Sequence, residues 1–109
     1  MTQFVVVYVT AASAAEGARI AVTLVEEQLA ACVNQVDGVQ SVYRWEGKVE
    51  HSQESLLIVK TRADLLARVT KRVQELHSYA VPEVIALPIL QGDQVYLQWL
   101  NEQLQKNEP

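Results

Sequence analysis

Apolar residues along this chain repeat one arrangement twice: a dense hydrophobic run, a stretch at helical spacing, then a second hydrophobic run. Phe4–Val9 is a continuous β-branched and aromatic segment, which predicts a strand covered on both faces. Ser13 stands three residues before Glu16, the spacing of a capping box. Ala18, Ala21, Leu24, Val25, Gln28 and Leu29 then recur at helical spacing, predicting a first helix over about 14–30. Extended character returns from Cys32 to Trp45, with a bulge or bend predicted at Asp37-Gly38. Beyond it Val39, Ser41, Tyr43 and Trp45 share one face by alternation. Glu46-Gly47-Lys48 is the turn, with His51 expected opposite Tyr43. The return strand is polar at first and strongly apolar at Leu56–Val59.

Thr61 and Asp64 repeat the cap spacing ahead of a second helix, whose stripe is Leu65, Leu66, Val69, Val73 and Leu76. Pro82 pushes Val81 toward an extended conformation, so that helix ends near His77 or Ser78. Val84–Ile89 is a fourth strand, and Pro88, which cannot donate to a ladder, belongs at a sheet edge. Gly92-Asp93 opens a short terminal helix with Tyr96, Trp99, Leu100 and Leu104 on one side. The order β-α-β-β-α-β plus a last helix is the α+β, ferredoxin-like sandwich on an antiparallel sheet, with the second and fourth strands outermost.

The hairpin from about Cys32 to Thr61 is too long for such a domain to cover. An arm of about 13 residues at 3.3 Å each reaches roughly 43 Å, whereas a helix of about 17 residues spans roughly 25 Å. The tip, carrying Tyr43, Trp45 and Val49, therefore projects past the helices. A two-stranded ribbon is marginally stable alone in water, and an exposed aromatic edge invites pairing. Association with other copies of the chain answers both problems.

The composition agrees. The 109 residues fit one domain over 1–109, and 50% of them are hydrophobic, enough for a core without disulfides or metal. Only 20% are charged, which suggests that part of the surface is covered. The net charge is −4 and the nine basic residues are scattered, which argues against nucleic acid or an acidic membrane as partner. Cys32 is the single cysteine and suits a reducing compartment. No basic residue precedes the short Phe4–Val9 run and no stretch approaches a membrane span. A cytoplasmic location is expected.

With these segments placed, the sequence resembles the CutA family, the divalent-cation tolerance proteins. The resemblance rests on Val5-Val6-Val7 with Thr10-Ala11, and on Leu29-Ala30-Ala31-Cys32-Val33-Asn34. It extends over Ser41-Val42-Tyr43-Arg44-Trp45-Glu46-Gly47-Lys48-Val49, Lys60-Thr61, His77-Ser78-Tyr79-Ala80-Val81-Pro82-Glu83 and Tyr96-Leu97-Gln98-Trp99-Leu100. It implies a homotrimer similar to the PII signalling trimers, with Tyr43, Trp45 and Val49 at the trimer interface. It also implies a binding or regulatory protein associated with tolerance of copper and other divalent cations, with no catalytic reaction and no required cofactor. Two departures stand out. Ser78 replaces a proline common in the family segment, and Val9 and Leu76 occupy positions where some members carry copper-binding Cys and His, leaving His77.

Candidate chemistry follows from these residues. His77 reads as a copper or zinc ligand or as a cap at a helix end, and Glu83 either adds a carboxylate or fixes the turn at Pro82. Cys32 is a soft ligand for copper(I) or small buried filling. Lys60, His77, Tyr79, Glu83 and Trp99 are expected to line a pocket between subunits, suited to a small anion. The competing reading is a small isomerase-like enzyme using His77 and Glu83. An acylphosphatase-like site would want an arginine in the loop after the first strand, and Thr10–Ala15 has none. An RNA-binding sheet would carry aromatic and basic residues, where Val5, Val7, Leu57 and Val59 stand instead.

Overall fold

Two long antiparallel arms dominate the architecture. The structure, a computed structural model, describes residues 3–106; positions 1–2 and 107–109 of the single domain expected over 1–109 lie outside the described residues. Strand β1 (Phe4–Ala11) leads through helix α1 (Ala14–Glu26) to the arms β2 (Cys32–Trp45) and β3 (Lys48–Arg62). A single 3-10 turn at Ala63–Leu65 runs into α2 (Leu66–Leu76), followed by β4 (Ile85–Pro88) and α3 (Gln94–Glu102). The sheet order is β2-β3-β1-β4, every pair antiparallel. Pro88 lies opposite Val5 on the outermost strand β4, where its missing N–H costs no ladder bond.

Alternation along β1 separates two faces. Val5, Val7, Val9 and Ala11 are buried with Leu57 and Val59 of β3 against Ile20 and Leu24 of α1 and Val69 and Val73 of α2. A smaller cluster of Ala31, Leu65, Leu100 and Leu104, with Phe4 packed against it, docks α3. The opposite face meets α3 only at its Phe4 and Arg62 end and is open beyond it. By the strand register, Val6, Tyr8, Leu56, Ile58, Ile85 and Leu87 share that face, and Ile85 and Leu87 are exposed. The expectation that β1 is covered on both sides therefore holds on one side only within the chain. The residues set against RNA binding, Val5, Val7, Leu57 and Val59, point to the helices; the open face is apolar around Tyr8 and carries Lys60.

The arms of 14 and 15 residues outrun α1 and α2, which have 13 and 11, and the long axis reaches 44 Å. Val42, Tyr43, Trp45 and Val49 are exposed on the projecting part. A register shift between Val36 and Val39 marks the bulge, with Gly38 at φ +76°, a value only glycine adopts cheaply. The tip is a two-residue turn, because Trp45 pairs with Lys48. Glu46 and Gly47 both take positive φ (51° and 80°), as a type I′ turn requires. Tyr43 consequently faces Glu50, and His51 faces Val42, one position away from the pairing expected of a longer turn.

Three local expectations are corrected. Helix α1 stops at Glu26 rather than near residue 30, because Gln28 enters the left-handed region (φ 58°) and the amides of Leu29 and Ala30 both turn back to the Leu24 carbonyl. The fourth strand is shorter than Val84–Ile89, pairing with β1 only over Ile85–Pro88. Thr61 and Asp64 form no capping box. The Thr61 hydroxyl, fully buried, donates to the Leu29 carbonyl at 2.7 Å, while Asp64 accepts from Arg62 Nε at 2.9 Å. Thr61→Val should accordingly lower stability by about 1–2 kcal/mol, since it strands a buried carbonyl without its donor. A urea midpoint equal to that of the unmodified chain would contradict this.

Candidate functional site

The segment after α2 folds back to the middle of the hairpin, and a buried polar chain holds it there. Ser13 caps α1 by accepting from Glu16 N at 3.1 Å, as its spacing predicts. The Glu16 carboxylate does more than complete that cap. Its Oε2 accepts from Ala12 N at 2.8 Å and its Oε1 from Ser78 N at 2.9 Å, tying the start of α1 to the end of α2. Burial pushes the Glu16 carboxyl up, but hydrogen bonds from the Ala12 backbone and from Ser78 hold it below the usual glutamate range.

His77 is next in this chain of contacts. Its ring is fully buried, accepts from Tyr79 N at Nδ1 (3.0 Å) and meets the Thr10 carbonyl at Nε2 (2.6 Å). A carbonyl can only accept and a backbone N–H can only donate, so the tautomer is fixed: Nε2 carries the proton. The ring is a buried strut. It is neither the carbonyl cap nor the free ligand that its place at a helix end suggested, and its Nδ1 lone pair is already taken. The ring also rests on Tyr79, centroids 4.7 Å apart.

Tyr79 carries the network to the solvent side. Its hydroxyl donates to Glu54 Oε2 at 2.8 Å, and burial together with that carboxylate pushes its pKa up to about 12. Tyr79 and Glu54 sit at the edge of a cleft of about 610 Å³, walled by Tyr43, Trp45 and Val42 from the hairpin and by Val81 and Glu83 from the loop before β4. Thr10 and Ser41 complete its polar lining.

Of the residues expected in a shared pocket, Tyr79 and Glu83 line this cleft, and His77 stands behind it. Lys60 and Trp99 do not. Lys60 lies four β3–β1 rungs from Thr10 on the open face, hydrogen-bonded to Asn34 and 3.9 Å from Cys32 Sγ. Trp99 stacks beside Tyr96 on α3. Of the candidate metal ligands, Cys32 on β2 pairs with Lys60 of β3, away from His77, which is held at Thr10. Among the described residues no three His, Cys, Asp or Glu side chains gather as a metal cluster. Sequence reasoning missed Glu54. Its polar run in β3 reads as solvated, and only the return of Tyr79 across 25 residues makes it a buried site residue. Among the described residues no helix is long and apolar enough to cross a membrane.

Comparison with known proteins places this geometry. A family model described as CutA1 divalent ion tolerance protein matches residues 5–103. The chain is 50% identical over 97 residues to the divalent-cation tolerance protein CutA of Thermus thermophilus, covering 89% of this chain and 94% of that protein. It is 54% identical over 96 residues to the chloroplastic protein CutA of Arabidopsis thaliana, covering 88% of this chain but only 53% of that one. The chain thus spans about half the length of the plant relatives it matches. Among solved structures, CutA1 from Oryza sativa superposes with a TM-score of 0.94 at 49% identity over 97% of both chains. A structure from Archaeoglobus fulgidus, described as a periplasmic divalent cation tolerance protein CutA, gives 0.91 at 41% identity over 94% of this chain and 99% of that one. Element order, hairpin and sheet are therefore those of a shared scaffold, and the chain belongs to the CutA1 divalent ion tolerance family.

Proposed function

We propose that this chain works as a homotrimeric binding and regulatory protein of divalent-cation tolerance, taking a small ligand in the cleft between the hairpin and the loop before β4. One observation carries the reading: among the described residues no helix packs on the sheet face built from Val6, Tyr8, Leu56, Ile58, Ile85 and Leu87. A continuous apolar face of this kind is a stable surface only when another surface covers it. The projecting hairpin, with Tyr43, Trp45 and Val49 exposed, supplies the matching arm, and the family resemblance supplies the number three. A closed ring satisfies every copy of the face at once.

A binding role is favoured over turnover because His77, the base an isomerase-like reaction would use, is buried with both ring nitrogens hydrogen-bonded. The same engagement disfavours direct copper ligation at His77. The lone thiol of Cys32 supports a reducing compartment, and we take that to be the cytoplasm, although relatives carry chloroplastic and periplasmic names. Light scattering of the purified protein should report about three times the 12.2 kDa chain mass. A folded monomer at micromolar concentration would remove the basis of this reading.

A further inference from the structure

We infer that the cleft between the outer half of the hairpin and the loop before β4 binds a primary organic ammonium rather than an anion or a bare metal ion. This rests on the ligand-binding reading given above and names the chemical class of the ligand. The key group is Glu54. It is 8% exposed, lines the cleft, and accepts one side-chain hydrogen bond, from the Tyr79 hydroxyl. No ion pair among the described residues includes it. Among the described residues Glu54 Oε1 meets no side-chain donor and is not a sealed atom, so it opens onto the cleft, where an arriving cation would pair with it.

The rest of the lining points the same way. Glu83 adds a second carboxylate, and among the described residues no Lys, Arg or His of this chain belongs to the wall. A small anion, expected for a pocket between subunits that includes Lys60, would meet two negative groups of this chain here and none of its positive ones. Tyr43, Trp45 and Tyr79 supply aromatic faces, which attract a cation through the ring quadrupole. A bare divalent ion would want a cluster of hard ligands, and among the described residues none forms. An alkyl- or aryl-ammonium satisfies both halves of the site. Its three N–H donors suit Glu54 Oε1, the Tyr79 oxygen and the Ser41 or Thr10 hydroxyl, and its apolar body suits Val81 and Trp45. The Tyr79 proton is directed at Glu54, so the phenol oxygen still has a lone pair to offer. The volume of about 610 Å³ is that of a small-molecule site.

The test is calorimetric titration of the assembled, full-length protein with benzylamine hydrochloride, benzyl alcohol and sodium benzoate at one ionic strength. Benzylamine should bind about tenfold or more tighter than the neutral alcohol, and benzoate should give no heat. Glu54→Gln, which keeps the shape and removes the charge, should weaken benzylamine about tenfold and leave the alcohol unchanged. Equal binding of amine and alcohol, or preference for benzoate, would overturn the ammonium class while leaving a ligand-binding cleft. No heat with any of the three would overturn it as well, with the oligomer still tested separately by mass. If Glu54→Gln instead changes the oligomeric mass, the cation that Glu54 awaits belongs to a neighbouring protomer, and the proposal fails.

Discussion

Ile58→Asp is expected to release folded monomers from the homotrimer proposed above. Ile58 stands on β3 opposite Tyr8 and Asn34, in the middle of the face that the helices leave bare. Its neighbours Leu57 and Val59 point the other way, into the core. The substitution should therefore spare the fold of each chain, and far-ultraviolet circular dichroism should keep its native shape. A carboxylate sealed into an apolar contact costs about 3 kcal/mol or more per copy, which is roughly a hundredfold or more in association constant. Light scattering at micromolar concentration gives the answer. A variant with the mass of the unmodified assembly would place the contact elsewhere than on this sheet face.

Glu16→Gln should produce the largest loss of stability among the polar substitutions. The side chain is 6% exposed and receives two backbone N–H bonds, from Ala12 and Ser78. The amide preserves the volume but turns one acceptor oxygen into a donor facing another donor. Together, a lost charge-assisted bond and an unsatisfied N–H should cost about 2–3 kcal/mol near neutral pH. The carboxyl is held below its ordinary range in the folded state. Its contribution is thus present in full above the unfolded glutamate pKa and is lost as pH falls through the lower, folded value. The stability gap between the two proteins, read from urea unfolding, should narrow in acid. An equal gap at all pH values, or none at neutrality, would show that Glu16 is not the latch between α1 and the segment after α2.

Much of the scaffold was legible because its signals are local. The Ser13–Glu16 cap, the Glu46-Gly47 turn and the Asp37-Gly38 irregularity each need only a few adjacent residues to specify them, and the structure has all three. Pro88 placed its strand at the edge on chemistry alone. What failed depended on distant partners. Nothing near Gln28 announces a left-handed residue, since no glycine stands there; the Leu24 carbonyl and the demands of Leu29 in the core end the helix instead. Thr61 and Asp64 had cap spacing, but Leu29 and Arg62 claim them. His77 looked like a free imidazole until Thr10 and Tyr79 took its two nitrogens. Of the cleft, the aromatic residues were recognisable by type, whereas Glu54 acquired its role only through the register that brings Tyr79 over it.

The bulge on β2 has a consequence for how side chains are dealt to the two surfaces of the sheet. Three steps from Val36 to Val39 are matched by two from Leu56 to Glu54. Even-numbered residues Cys32, Asn34 and Val36 therefore share a side with Lys60, Ile58 and Leu56, but beyond the bulge the odd-numbered Val39, Ser41, Tyr43 and Trp45 take over that side. The extra residue acts as a parity switch in the reading of the strand. Were the bulge drawn out into a regular strand with every residue kept, Val42 and Arg44 would be presented where Tyr43 and Trp45 now stand; removal of one residue at Asp37-Gly38 as well would restore the present faces. The aromatic wall of the cleft is thus set by an even or odd count at a position several residues away from it.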